Sequence, residues 1–500
     1  MIPSLNLNHG NSSWEKGEWK AGKMREPAGG SWISGRPWTQ MTPVSLRIPI
    51  ALLFLAIAGG VAVPWLGGPL SGNPGLRLGI LVLAGGAWVV ALGWAERWAT
   101  GRAALVAIVV GAIVLRTLAL LGEPETSDDV YRYVWEGALV LGAESPYAIA
   151  PSDREEERLR WPQLYGRINH PEVSAAYPPL TQGACALGVL AAGGRSGLDQ
   201  PDGWRRAVFS LRVLFGLADL LVLLPLAVLL RALGRSPGLL VAWAWCPLVV
   251  LESGGAGHFD SLGVLLMVAG LAAAVRLRWP AASLWIAAGA LVKWLPLAAA
   301  PFLGREKRAR VLSAGLVAVG IGAGFVPLLF LEGGARGLFG GLGEYAFRWE
   351  SFNLGFRWLE QVLQGYFPMD ESWNDARRVA RVLVLGCLAL TGLMLLWRRV
   401  DAPRACGVLL GLFLVGTPTL HPWYLLWIVP FLALQRSPAF LWLVAVAPLT
   451  YWPLTRWKTE GVWEEPGWLW PSVALPFLAL LVFELVRRWR TRGAKAALQP

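Results

Sequence analysis

The chain has 500 residues, 55% of them hydrophobic and only 16% charged, and a positive mean hydropathy, which together exclude an ordinary soluble domain. Apolar runs long enough to cross a bilayer recur along nearly the whole length and lack the alternation of barrel strands, so an all-α polytopic membrane protein is expected rather than a β-barrel. The net charge of +12 is accounted for by Lys and Arg marking the cytoplasmic side, so nucleic acid is not an expected partner.

Residues 1–45 are polar, carry Lys16, Lys20, Lys23 and Arg25, and precede any apolar core, as a flexible cytoplasmic tail would. A single transmembrane domain is expected over 46–490, followed by a short cytoplasmic tail at 491–500. Spans are expected near 46–66, 76–95, 103–121, 208–230, 238–256, 260–276, 309–330, 378–397, 405–420, 423–435, 438–455 and 468–487, about twelve in all. The apolar stretch 282–303 is broken at Lys293-Trp294-Leu295-Pro296 and reads as a short helical pair that enters and returns. With the N-terminus inside, nearly every short inner loop is basic, Arg305, Lys307, Arg308 and Arg310 being the densest; Arg77, Arg377, Arg378 and Arg381 are exceptions on the outer side. Two long outer loops are expected at 122–207 and 331–377. The first contains an apolar segment, 178–194, which as a full span would invert everything downstream, so it is expected to lie as an interfacial helix. The 29 Trp suit interfacial anchoring, and Cys185, Cys246, Cys387 and Cys406 have no metal-type spacing and read as packing residues.

Four polar clusters share the outer side in this threading: Asp128-Asp129 with Arg132, Gly257-His258-Phe259-Asp260, Lys293, and Thr419-Leu420-His421-Pro422-Trp423-Tyr424. Adjacent carboxylates at the lip of a span are costly to desolvate, which points to chemistry. Each cluster also has a plainer explanation. Ser127 or Asp128 fits a helix cap, His258 and Asp260 fit a hydrogen-bonded interfacial pair, Lys293 fits a snorkelling side chain, and His421 fits a loop-shaping role. Their shared side favours function: a carboxylate takes a proton from an attacking hydroxyl while Lys and Arg hold a departing phosphate. No P-loop or dinucleotide fingerprint occurs. Apart from Arg116 and Asp219, the charges fall at span ends, which favours surface chemistry over a transporter or flippase for lipid-linked sugars. An envelope glycan ligase would share the same layout.

The run Asp129-Val130-Tyr131-Arg132-Tyr133-Val134-Trp135-Glu136-Gly137, followed by Ser145-Pro146-Tyr147, resembles the first outer loop of GT-C glycosyltransferases, in particular bacterial polyprenol-phosphate-mannose-dependent mannosyltransferases. Tyr177-Pro178-Pro179-Leu180, Gly257-His258-Phe259-Asp260-Ser261-Leu262, Leu291-Val292-Lys293-Trp294-Leu295-Pro296 and His421-Pro422-Trp423-Tyr424-Leu425-Leu426-Trp427 resemble further family blocks in the same order, so the likeness spans about residues 100–435. It implies a GT-C-like fold and inverting transfer of a hexose, mannose first, from a polyprenyl phosphate to a lipid or glycan acceptor on the extracytoplasmic face of a bacterial-type cytoplasmic membrane. It implies Asp129 as general base. The neighbouring acid falls on Ser127 or Asp128, which leaves a divalent cation compatible but no metal ligand assigned. By the same resemblance Arg132 and Lys293 are expected to meet donor phosphate, and Tyr133, His258, Asp260, His421 and Tyr424 to contact donor or acceptor.

Overall fold

The structure, a computed structural model, describes residues 50–62, 72–99, 101–366 and 372–496; the tail expected at 1–45 lies outside them, as do residues 497–500. The described chain is helical, and its β structure is confined to one isolated bridge, Glu144 with Glu332. The first three helices are α1 (Ile50–Ala62), α2 (Pro74–Trp98) and α3 (Arg102–Leu121). Asn73 starts α2 by accepting the Leu76 N–H, with Pro74 at the first helical position, where no N–H is needed.

The segment after α3 carries α4 (Asp129–Leu141) and α5 (Pro179–Ala191). A helix thus forms where the interfacial one was expected at 178–194, and its 13 residues are too few for a full span. Two continuous helices follow, α6 (Gly203–Leu221) and α7 (Leu223–Ala232), which form one long span, and then a pair, Pro237–Ala244 and Pro247–Gly255, bent by 52°. The bend is at Cys246-Pro247, where proline cannot continue the ladder. Arg116 answers the carbonyls freed there: it donates to Ala244 O and pairs with Asp219, Nε to Oδ2 at 2.9 Å and Nη2 to Oδ1 at 2.8 Å. Trp243 Nε1 donates to the same carboxylate at 2.6 Å. The two charges expected deep in the spans therefore neutralise each other around a break. They are not alone, however: Arg212 and Glu252 are also buried within apolar segments.

Next come α8 (Asp260–Val275), α9 (Trp279–Ala290) with a 3₁₀ segment Leu295–Phe302, and α10 (Lys307–Phe325). The expected short helical pair is there, with Lys293 at its turn. After it lie α11 (Gly340–Arg348), α12 (Phe356–Gln364), α13 (Ser372–Trp397), α14 (Ala402–Gly416), the 3₁₀ turn Pro422–Trp427 with α15 (Val429–Leu434), α16 (Pro438–Val446), α17 (Trp452–Glu460) and α18 (Leu469–Ala496).

Among the described residues seven helices are long and apolar enough to cross a membrane, eight if the bent pair is one span. The expected span at 46–66 is described only over Ile50–Ala62, while those at 260–276, 405–420 and 423–435 fall instead on apolar helices of 10–17 residues. Their ends are set by features an apolar window does not register: Asp260 opens α8, Asp401 caps α14 through the Arg404 N–H, and Pro422 and Pro430 divide the segment around α15.

Three close approaches shape the site. In α4, a Cβ at Gly137 would stand 2.5 Å from Cys185 backbone atoms, so glycine lets α4 lie directly against α5. The start of α5 docks on the Lys293 turn, Leu180 N–H to Leu291 O at 3.0 Å and Thr181 Oγ1 to Val292 O at 2.8 Å. The segments after α4 and before α11 are joined by Ser145 N–H to Glu332 O at 2.8 Å and Glu332 N–H to Ala143 O at 2.7 Å.

Candidate active site

The site starts at the head of α4. The Ser127 hydroxyl accepts the Asp129 N–H at 3.2 Å, while Asp128, at the N-cap position, makes no side-chain capping bond. The Asp128 carboxylate faces Lys458 at 3.5 Å. Asp128 and Asp129 both line the same cavity, but Asp129 has different partners. Its Oδ1 accepts from Asn169 Nδ2 at 2.7 Å, and its Oδ2 lies 3.4 Å from the hydroxyl of Tyr133, one turn along the helix. Burial raises the Asp129 carboxyl above the ordinary aspartate range; the Asn169 hydrogen bond and the charges of Arg132 and Lys293 pull it back only in part.

Asp129 opens on a cavity of about 960 Å³ whose walls include Tyr133, Tyr177, Tyr345, His421 and Trp457. That volume admits a sugar and part of a second ligand. Backbone ties hold the far wall: Leu420 N–H donates to Phe352 O at 2.8 Å and Thr419 Oγ1 to Trp349 O at 3.0 Å. His421 is thereby fixed between two chain segments.

Behind the wall lie the other expected residues. Gly257 has a φ of +83°, and a Cβ there would come 2.9 Å from Val130; this turn delivers His258 beneath Tyr133, with Nδ1 3.4 Å from the Tyr133 hydroxyl and 4.0 Å from Asp129 Oδ2. The His258 ring stacks on Trp423 at 4.0 Å, and Trp423 stacks on His421 at 4.3 Å. Lys293 Nζ donates to Asp260 Oδ1 at 2.8 Å, and Trp427 Nε1 donates to the same oxygen at 2.6 Å. The ammonium also stands 4.2 Å from the Tyr424 ring and 5.6 Å from that of Phe259, a cation–π setting. The Tyr424 hydroxyl is bonded to that of Tyr345.

The four clusters thus meet around one cavity, though not as equals. Asp129, Tyr133 and His421 form its surface, while His258, Asp260, Lys293 and Tyr424 are buried behind it. Arg132 borders the cavity, but its guanidinium is engaged by the protein: Nε on Glu136 at 2.9 Å, Nη1 on His170 O at 3.0 Å, and Nη2 on Val173 O. It clasps the loop that carries Asn169. Among the described residues, no group of three or more His, Cys, Asp and Glu is arranged to hold a metal ion.

Asn169, Glu252 and Tyr345 belong to the site without having been expected there. Asn169 sits in a loop and Tyr345 on the short helix α11, both inside the long segments expected as outer loops. Glu252 did carry a signal, a lone carboxylate inside an apolar run.

Residues 56–306 match the family described as "Alpha-(1->6)-mannopyranosyltransferase, N-terminal domain", and residues 201–418 match "Glycosyltransferase family 87". The chain is 27% identical over 449 residues to "Alpha-(1->6)-mannopyranosyltransferase A" of Mycobacterium tuberculosis, an alignment that covers 85% of this chain and 84% of that protein. No solved structure matches.

Proposed function

Because this chain belongs to the alpha-(1->6)-mannopyranosyltransferase family, we propose that it transfers a hexose, mannose in the first instance, from a polyprenyl-phosphate donor to a lipid or glycan acceptor, with inversion, at the extracytoplasmic face of a cytoplasmic membrane. It is a glycosyltransferase of the GT-C type; donor, acceptor and stereochemistry are the proposed part. The observation that carries the reading is the Asp129 carboxylate at the mouth of a cavity backed by a buried ammonium and stacked imidazoles.

Asp129 takes the proton of the acceptor hydroxyl as that oxygen attacks the anomeric carbon, and the polyprenyl phosphate leaves from the opposite face. A carboxyl whose proton affinity is raised by burial is a stronger base than one in water, which suits removal of a hydroxyl proton. The leaving phosphate gathers negative charge, and Lys293 behind the wall supplies positive potential in a site of low dielectric, while His421 on the wall, whose imidazole burial keeps neutral, offers a ring N–H. Arg132 acts through the loop it clasps, keeping Asn169 on the base. The prenyl chain lies in the bilayer against the exposed apolar faces of α10 and α13, where Val311, Val319, Leu385 and Leu393 are more than half exposed. A flippase is less well supported, since Arg116 and Asp219 saturate each other.

The test is transfer from polyprenyl-phosphate mannose in membrane vesicles. Asp129→Asn is expected to abolish transfer with normal expression and unchanged melting. Turnover near wild type in that variant removes Asp129 as base, and the absence of any transfer from this donor by the wild-type protein removes the donor class.

A further inference from the structure

Arg377, Arg378 and Arg381 run against the positive-inside pattern, and the mechanism above uses none of them. They sit near the start of α13 and, with Phe347 and Arg348 of α11, line a second cleft of about 420 Å³. Among the described residues, four of its five lining side chains are guanidiniums and none is a carboxylate. Helix α11 turns Tyr345 to the active cavity and Phe347 and Arg348 to this cleft. The two spaces meet at Glu350, which lines the active cavity and faces Arg377 at 2.9 Å and Arg381 at 3.6 Å.

The four charges are committed to different degrees. Arg377 is held between Glu350 and Glu360, at 2.9 and 2.8 Å. Arg378 and Arg348 each pair with an acid one turn earlier on the same helix, Asp375 at 3.6 Å and Glu344 at 2.9 Å, but these arginine side chains are 69% and 78% exposed. Such surface pairs hold weakly and give way to a better acceptor. Arg381 is largely buried, and its Nε and Nη2 have no hydrogen-bond partner among the described residues. Guanidiniums with weak or missing acceptors suit a phosphate, whose oxygens match their paired N–H groups two at a time. Further along α13, Val382, Leu385 and Leu390 are more than half exposed on a helix long and apolar enough to cross a membrane. An anion at this end of the span is therefore placed to be the head of a lipid whose chain lies along α13.

We propose that this cleft is a second lipid-phosphate site, which receives the polyprenyl phosphate released by transfer. The proposal rests on the polyprenyl-phosphate donor proposed above. That donor is a phosphodiester with one negative charge, whereas transfer leaves a phosphomonoester carrying about −1.5 to −2 at neutral pH. A cleft of several guanidiniums favours the more highly charged product over the incoming donor. It clears the spent carrier from the active cavity without competing for the next donor.

The experiment places the full-length protein in phosphatidylcholine nanodiscs, adds polyprenyl phosphate and counts bound lipid phosphates by native mass spectrometry. Wild type is expected to hold two, one in each site. Arg348→Gln/Arg378→Gln is expected to hold one at the same concentration, the second site being weakened on the order of tenfold or more. Arg348→Lys/Arg378→Lys, which keeps the charge if glutamine disturbs the fold, should fall between them. In transfer assays the glutamine pair keeps the single-turnover rate, while steady-state turnover falls about threefold because release becomes limiting. A single polyprenyl phosphate on wild type, two on the glutamine pair, or a lysine pair no better than the glutamine pair each overturns the proposal. So does an equal fall in single-turnover and steady-state rates. Displacement of the second lipid by an equal concentration of phosphatidylglycerol or of inorganic phosphate also overturns it, assigning the cleft to bulk anionic lipid or to a free anion. Binding is read without turnover, so failure of the donor class is seen separately, as a wild type that transfers nothing from polyprenyl-phosphate mannose.

Discussion

Lys293 and Asp260 offer a way to separate what holds the site together from what works in it. The ammonium and the carboxylate are 2.8 Å apart, with side-chain exposures of 11% and 1%, so each is the compensating charge of the other. Removing one partner of such a pair costs about 3–5 kcal/mol because the survivor remains buried without its counter-ion. In Lys293→Met the Asp260 carboxylate keeps only the Trp427 N–H; in Asp260→Leu the ammonium keeps only its aromatic neighbours, worth about 2 kcal/mol at most. Both single variants are therefore expected to be strongly destabilised, as measured by thermal denaturation in detergent. The double variant Lys293→Met/Asp260→Leu replaces the pair by apolar groups of similar volume and should return to within about 1–2 kcal/mol of wild type. Transfer should not return with it. If the ammonium stabilises the leaving phosphate, its loss costs a factor on the order of 10²–10³ in kcat in both Lys293 variants. A double variant that regains activity along with stability would make Lys293 a purely structural residue. Single variants as stable as wild type would refute the burial reasoning itself.

Four further outcomes follow from geometry described above. Asn169→Ala removes the amide that lowers Asp129's proton affinity, so the acid limb of the rate–pH profile should move further up, and the shift should vanish if Asn169 does not bond the reacting carboxylate. Because Asp129 is raised in the folded state, its ionisation opposes folding: that contribution is favourable below the unfolded aspartate range and is lost as pH rises through the folded value, so Asp129→Asn should melt no lower than wild type at neutral pH. Arg116→Met should cost about 3–5 kcal/mol by stranding Asp219, with Arg116→Met/Asp219→Leu recovering most of it; a harmless single variant would show that the break at Cys246-Pro247 does not need the pair. Gly137→Val should force α4 away from α5 and lower both folding yield and transfer, whereas wild-type behaviour would mean that the helices part easily.

Long spans such as α2, α6–α7 and α18 are legible in the sequence because apolar length alone marks them. The short ones are not, because α8, α14 and α15 end at an acid, a cap or a proline inside or beside an otherwise uniform run. The Lys293 turn was legible for the opposite reason: a charge and a proline interrupt apolar sequence together, and the chain does turn there. In the site, residues that break a local pattern stand out, such as Asp129 after a span or His258 and His421 between apolar runs. Which of them reach the cavity depends on tertiary packing. Arg132 carries the charge expected of a phosphate ligand, but its partners are carbonyls some 40 residues away in the loop, a distance no motif encodes. Asn169 is found only because that same loop folds back over α4.

The strap between Ser145 and Glu332, with Ser145 Oγ also bonded to Gly334 O at 2.8 Å, bears on how the enzyme is made. Its two halves leave the ribosome 189 residues apart, so the segment carrying Asp129 must wait, already threaded, for more than a third of the polypeptide to be synthesised before its far end is fastened. The cavity also takes walls from residues 341–465, so it is a late product of biogenesis, and nascent chains arrested before residue 332 would have inserted helices yet an unfinished pocket.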